Sequence, residues 1–353
     1  MLILHPGLCT SIQDLGRFGY QKLGFSPSGA MDSRALRLAN ILVGNAEHEA
    51  ALEITLAGPE LIFQEDTIIA LCGANISPSI NGTPIPNWKP ILVSRNSHLK
   101  FGQLKNGCRA YLAVAGGIDS TSFLTSKSTY SHITIPGIAK GTVAKNELIK
   151  INQPSPLIQR VISYVSTNQS QLTNIHRHEE FIEFNWAINY SHFYPDLTKE
   201  HHIQVVLHPQ LSLLALESVA TFFSEPYQVS QASDRMGYRL EGPVLEFDTT
   251  KTILSNPVNM GSIEIPADGH PIILMTERAT IGGYPMIGTA NSTSLPILAQ
   301  SKPGDTLRFG MITVEHAQKK LLQEEHGIVM VKQRVLSDYQ QIVESIINQK
   351  MRD

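Results

Sequence analysis

Three short markers occur twice along this 353-residue chain, in the same order each time. Leu4-His5-Pro6 returns as Leu207-His208-Pro209. Gly58-Pro59-Glu60-Leu61-Ile62-Phe63 returns as Gly242-Pro243-Val244-Leu245-Glu246-Phe247, and Leu99-Lys100-Phe101-Gly102 as Leu307-Arg308-Phe309-Gly310. An ordered repeat fixes the number of structural units before any single motif is weighed, so two related units are expected. From the second marker to the third the interval is 44 residues in the first unit and 68 in the second, which gives the second about 24 extra residues. That extra stretch contains Gly282-Gly283-Tyr284-Pro285.

Both units read as mainly β. Short β-branched runs at 68–71, 91–93, 109–114, 203–207 and 272–275 are bounded by Gly, Pro and Asn, at the spacing of barrels or sandwiches. Helical spacing is confined to a few covering stretches. The first opens at Asp32 as N-cap and closes at Gly44 as C′; others are 211–223, 314–326 and 337–348. The expected organisation is a first β unit at 1–152, a connecting segment at 153–202, a second β unit at 203–312 and a helical tail at 313–353. The connecting segment gathers His176, His178 and His192, with His201 and His202 just beyond, but in no compact ligand spacing, so no metal is assigned to it.

Composition narrows the partners. Twenty-eight Lys and Arg against 31 Asp and Glu give a net charge of −3, with no basic block to grip phosphates, which argues against nucleic acid. No apolar run approaches a membrane span, and Met1-Leu2-Ile3-Leu4 lacks the basic start of a secretory signal, so a cytoplasmic protein without membrane contact is expected. Three cysteines without a C-x-x-C pair read as reduced core thiols.

The familiar catalytic signatures are missing. The run 102–109 has two glycines at P-loop spacing but lacks the Lys and Ser/Thr that hold phosphate and magnesium, and there is no G-x-S-x-G elbow, no G-x-G-x-x-G after a strand and no Met-Lys-Met biotin acceptor. Chemistry must come from a dispersed set. In Thr10–Gly19, Asp14 and Arg17 stand between glycines, either as an ion-paired turn or as an Arg grip on a carboxylate. In Ser26–Asp32, Ser28 and Asp32 form either a helix entry or a turn whose N–H groups meet an anion. In Ser230–Arg239, Ser233, Asp234, Arg235 and Arg239 are costly to bury unless they meet each other or a ligand, and a solvated loop is the alternative. Tyr284 in the Gly-rich run either stands over a cavity or marks a plain turn.

Taken in order, PGLCTSIQDLGRFGY from Pro6, SGAMDSRALRLAN from Ser28, CRAYLAVAGGID from Cys108, SKST from Ser126, SDRMGYRLEGP from Ser233, GSIEIP from Gly261, GGYP from Gly282 and LAQSKPGDTLRF from Leu298 resemble the allophanate hydrolase subunit 2, or biotin-dependent carboxyltransferase, family. The family includes the C subunit of bacterial 5-oxoprolinase and KipA-like antagonists of a sporulation-kinase inhibitor. The resemblance implies two cyclophilin-like β-barrels with a few covering helices, and partnership with B-like (KipI-like) and A-like subunits. It implies an ATP-dependent opening of 5-oxo-L-proline to L-glutamate by the assembly, with the chain inactive alone. ATP with magnesium is then expected at an unconventional site shared with the partner subunits, and no biotin on this chain. The alternatives are a KipA-like binding protein and the carboxyltransferase part of a urea carboxylase-type system. Within this reading Arg17, Arg235 and Arg239 grip anions, Asp14, Asp32 and Asp234 orient them or move protons, and Ser28, Ser233 and Tyr284 supply hydrogen bonds. The sequence departs from the family pattern at Glu264 for Gln, at Ala267 for the second Pro, through Thr276–Ile281 and at 135–140, removing amide and hydroxyl groups from the inserted loop.

Overall fold

The computed structural model describes residues 1–130, 141–167, 174–197, 200–247 and 254–350. It divides into two compact units, one of Met1–Gly16, Ser33–Phe193 and His326–Asp353, the other of Arg17–Asp32 and Tyr194–Glu325. The architecture is mainly β with a few helices, as the spacing of the β-branched runs predicts.

In the first unit twelve strands form two antiparallel sheets. The five-stranded sheet runs in the order Leu2–His5, Glu60–Ile62, His98–Phe101, Pro78–Ile80, Thr83–Pro84. The seven-stranded sheet runs Ile175–Arg177, Phe181–Phe184, Pro90–Val93, Thr67–Asn75, Asn106–Val114, Ala51–Thr55, Cys9–Gln13. Alternate residues of both sheets meet in one core, Ile3, Leu61 and Leu99 from the first and Leu52, Ile69, Leu71 and Leu112 from the second. Helix α1 (Ser33–Leu42) covers Thr67–Asn75 and Asn106–Val114, burying Leu36, Leu38, Ile41 and Leu42. It stops as its sequence predicts: Gly44 takes φ +73°, its N–H reaches the Ile41 carbonyl, and the Asn45 N–H reaches that of Asn40. These two bonds satisfy carbonyls that a helix end would otherwise orphan.

The second unit contains a closed seven-stranded barrel: Glu200–Leu207, Met286–Ala290, Ser262–Glu264, Ile272–Leu274, Gly237–Glu241, Tyr227–Val229, Thr306–Met311 and back to the first strand. Only the closing pair, Glu200–Leu207 with Thr306–Met311, is parallel. Ile203, Leu240, Ile263, Ile273, Ile287 and Leu307 fill the interior, and Phe222 stacks on Phe309 at 4.3 Å. Burial pushes the Tyr227 phenol up to about 12. Outside the barrel, Asn256–Pro257 pairs with Ile281–Gly282 as a two-stranded ribbon within the extra residues of the second repeat.

The repeated markers occupy comparable places. His5 ends its strand and His208 directly follows its own, and each accepts through Nδ1 the N–H two residues on, at 3.1 and 3.2 Å. A Cβ at Gly58 would sit 2.3 Å from the Phe101 ring, and one at Gly242 2.6 Å from the Tyr227 ring. Leu99 and Leu307 are fully buried.

The structure differs from the sequence reading in three places. Residues 153–202, read as a connecting segment, hold helix α2 (Pro156–Thr167) and the hairpin Ile175–Arg177/Phe181–Phe184, which extends the seven-stranded sheet through Phe181 opposite Val93. Strands of three and four residues are too short to show a period, although Phe181 and Phe184 are buried. The 211–223 helix is a 3₁₀ turn at Pro209–Leu213 followed by α3 (Leu216–Ser224), because Leu214 and Ala215 are extended and Leu214 bridges to Phe247. After the short α4 (Leu295–Gln300), the two tail helices are one, α5 (Val314–Lys350). Gly327 lies inside α5, where a helical glycine costs only about 1 kcal/mol. Residues 135–140 lie outside the described residues. Cys72 and Cys108 are buried and Cys9 is half-buried. No described helix is long and apolar enough to cross a membrane.

Barrel closure depends on Gly288, whose added Cβ would lie 2.3 Å from Val205 Cγ1 and 2.7 Å from the Val206 carbonyl oxygen. Gly288→Ala is therefore expected to cost about 1–3 kcal/mol in urea unfolding. Gly310→Ala, on the same barrel with nothing within 4 Å, should stay within about 0.5 kcal/mol of the parent.

Candidate functional site

Of the predicted site residues, Asp14 lies in the first unit and the others in the second. In the first unit Asp14 follows the strand Cys9–Gln13 and is buried. Its carboxylate is committed to the loop at 126–128: Oδ1 accepts from Ser126 Oγ at 2.6 Å and Ser128 Oγ at 2.5 Å, and Oδ2 from the Lys127 N–H at 2.6 Å. The Gly16 N–H completes the set at 2.7 Å. Gln13 Nε2 reaches the Thr129 hydroxyl at 3.3 Å, while Gln13 Oε1 and Thr10 Oγ1 are buried without a partner among the described residues. The loop enters through a tight turn whose central residues, Leu124 and Thr125, both have positive φ, at +48° and +68°. A β-branched residue in that region is strained, and such strain persists only where surrounding structure over-determines it. The four donors around Asp14 do so.

The second group centres on the turn at Pro27–Gly29. Ser28 has φ +52° and Gly29 φ +90°. The turn is bound to Thr276 on two sides, since Ser26 Oγ donates to the Thr276 carbonyl at 2.8 Å and the Ser28 N–H to the same oxygen at 3.1 Å. Arg17, 2% exposed, donates its backbone N–H to the Pro27 carbonyl. Arg235 then clamps the turn from the barrel side: Nη2 donates to the Gly29 carbonyl at 2.7 Å and Nε to Glu277 Oε1 at 2.7 Å. Glu277 is fully buried, and its N–H returns to the Arg235 carbonyl. Asp32, also fully buried, accepts from the Tyr194 hydroxyl at 2.8 Å and Gln300 Nε2 at 2.7 Å.

Arg17, Ser28, Asp32 and Arg235 thus belong to one unit and three of them to one hydrogen-bonded turn. Ser233, Asp234 and Arg239 do not join them. Ser233 Oγ and the Arg239 N–H close a surface turn, Asp234 Oδ1 accepts from the Met236 and Gly237 N–H groups, and Asp234 and Arg239 are exposed. Tyr284 is 47% exposed beyond the ribbon. Of the histidines of the former connecting segment, His176 and His178 pack ring edge to ring face at 4.6 Å and His178 meets Glu183 at 3.1 Å, while His201 is buried against Asp305 at 3.4 Å. No three His, Cys, Asp or Glu side chains among the described residues are arranged to hold a metal ion.

Sequence reasoning missed Thr276, Glu277, Tyr194 and Gln300. Thr276 and Glu277 open the stretch that departs from the family pattern, and Gln300 lies within LAQSKPGD, so those three were at least marked. Tyr194 carried no signal.

The profile of the family described as carboxyltransferase domain, subdomain A and B, matches residues 23–311. The chain is 30% identical over 317 residues to the 5-oxoprolinase C subunit of Escherichia coli, covering 90% of this chain and 93% of that protein. It is 33% identical over 331 residues to urea amidolyase of Lachancea kluyveri, covering 90% of this chain but only 17% of the larger protein. The crystal structure of the K. lactis urea amidolyase superposes with a TM-score of 0.80 at 31% identity, over 93% of this chain and 20% of that one. With this match across both units, the chain belongs to the family of carboxyltransferase domains with subdomains A and B.

Proposed function

We propose that this chain is the C-like subunit of a cytoplasmic, ATP-dependent 5-oxoprolinase, acting with A-like and B-like partner subunits. The reaction is 5-oxo-L-proline, ATP and water giving L-glutamate, ADP and phosphate. The observation that carries the reading is extent: the alignment takes in nearly the whole of the E. coli 5-oxoprolinase C subunit, against a sixth of the urea amidolyase. A urea carboxylase-type role is the second reading, favoured by the likeness to the urea amidolyase structure.

The chemistry suits a chain without a nucleotide motif. A five-membered lactam resists hydrolysis because attack must break amide resonance. Transfer of the ATP γ-phosphoryl group to the lactam oxygen releases ADP and activates the carbon, one water adds there, the C–N bond opens with a proton passing to nitrogen to leave an acyl phosphate, and a second water releases phosphate and the free carboxylate of the amino acid. The protein must position phosphate, lactam and water and stabilise the charge on oxygen. In this reading magnesium arrives with the nucleotide, held by phosphate oxygens and one or two carboxylates of the assembly. The turn at Pro27–Gly29 is the positioning element contributed here, and Arg235 holds it.

The isolated chain is expected neither to release phosphate from ATP nor to open 5-oxo-L-proline, and to gain both activities on mixing with its cognate A-like and B-like subunits. Substrate-dependent phosphate release by the chain alone would contradict this. Arg235→Ala removes the guanidinium that pairs with the buried Glu277 carboxylate and should cost the chain about 3–5 kcal/mol in denaturant unfolding. Arg235→Lys should recover little of this, since an ammonium cannot span Glu277 and the Gly29 carbonyl as a planar fork does. Replacing both charges, as Arg235→Met with Glu277→Met, should restore most of the stability but not the activity of the assembly. If the double variant is as active as the parent, the turn is not part of the site.

A further inference from the structure

Helix α5 starts at Val314, beyond residue 311 where the match to the family profile ends, so it lies outside the part of the chain that defines the family. It carries two apolar seams, each with a spacing of seven residues. Ile328, Val335 and Ile342 form the first and are buried; Tyr339 stands among them, and its hydroxyl donates to the Leu42 carbonyl at the end of α1 at 2.7 Å. Leu322, Val329 and Leu336 form the second, one residue and so about 100° further round the helix, and they are 71%, 45% and 49% exposed. Seven residues are close to two full turns, so each seam keeps to one face, and this is the period at which two helices lie side by side. Gln333 and Gln340, on the exposed face, add no charge to it.

The exposed seam borders a hollow. Ile41, Leu157, Ile158, Val335 and Leu336 line about 130 Å³ between the end of α1, α2 and α5. Of the polar side chains on its wall, Lys332 Nζ donates to Glu47 Oε1 at 2.9 Å, Asn45 Nδ2 to the Val114 carbonyl at 2.8 Å and the Tyr339 hydroxyl to Leu42, so these are engaged elsewhere. The hollow therefore offers mainly apolar surface, in a volume close to the roughly 150 Å³ that accepts a benzene molecule. One aliphatic side chain matches it in size.

We propose that this seam is the surface on which two copies of the chain meet, with their α5 helices antiparallel about a twofold axis at Val329. The seam is its own reverse: a leucine stands seven residues to either side of Val329, and on one flank Glu325 lies four residues before it and Lys332 three after. A twofold interface needs such self-complementarity, since residue i of one copy meets j of the other and j meets i. Val329 then faces Val329, Leu322 faces Leu336 of the second copy at the level of the hollow, and Glu325 comes beside Lys332 of the second copy. Parallel helices in register would set glutamate beside glutamate and lysine beside lysine, so charge selects the antiparallel direction. Lys332 keeps Glu47 in this arrangement, because an ammonium has three donors. The contact leaves the buried seam as it is and withdraws three exposed aliphatic side chains per copy from water.

The test measures the mass of the full chain by sedimentation equilibrium, for the parent and for Leu322→Glu, with circular dichroism to show that the variant keeps its fold. The parent should be a dimer at about 100 μM, and Leu322→Glu should weaken dimerisation about 100-fold, since two leucine contacts are lost per dimer. Glu325→Lys should weaken it about tenfold at low salt, by removing two ion pairs. Oxidative cross-linking reads the direction, with the parent and its native cysteines as control. Val329→Cys should link two chains and Leu322→Cys alone should not, while Leu322→Cys combined with Leu336→Cys should. A monomeric parent, a dimer indifferent to Leu322→Glu, or Leu322→Cys linking to itself overturns the proposal. So does a monomeric parent that loses its A-like and B-like subunits on Leu322→Glu, which would assign the seam to a partner subunit instead.

Discussion

A charge that leaves water must find its counter-charge or a set of hydrogen bonds within the fold, and the second unit is organised around how it meets that demand. Arg235 meets it fully, with Glu277 on one side and the Gly29 carbonyl on the other. Asp32 meets it through a tyrosine hydroxyl and a glutamine amide, without any positive charge among those two donors. These contacts fix a turn in which a serine adopts positive φ, a conformation that a free chain would leave. In the first unit Asp14 does the same for a different loop, where four donors hold its carboxylate and the neighbouring strained residues stay in place. Both devices convert a desolvated acid or base into a fixed backbone shape.

What the sequence revealed was largely local. The end of α1 was legible because Gly44 and the residues before it carry the whole cap within six positions. The number of units was legible because the markers keep physical tasks that tolerate few substitutions, such as a glycine pressed on an aromatic ring. The partners of the predicted site residues were not. Glu277 stands 42 residues from Arg235, and Tyr194 stands 162 residues from Asp32, so only tertiary structure brings them together. The hairpin at 175–184 escaped for another reason, its strands being shorter than the window any periodicity needs.

Family likeness and site geometry differ in reach. Family membership extends across both units, and the hydrogen-bonded turn belongs to the second. Arg239, Asp234 and Ser233, dense in charge on paper, settle into an exposed turn whose bonds are mostly to its own backbone. Density of charged residues in a sequence therefore does not foretell their burial: Arg235 and Glu277 are buried, whereas Asp234 and Arg239 stay exposed.

The parallel closing pair of the barrel has a consequence for how the protein is made. Glu200–Leu207 and Thr306–Met311 lie more than a hundred residues apart, yet each is the other's neighbour in the ring. The ring stays open on the ribosome until residue 311 has emerged, and during that interval the unpaired backbone edges of Glu200–Leu207 and Tyr227–Val229 wait for the seventh strand. Loop-closure entropy makes such a pairing slow, and unpaired edges are where chains meet other chains. Synthesis past the last barrel strand, rather than the formation of any local element, sets the moment at which this unit becomes safe from aggregation.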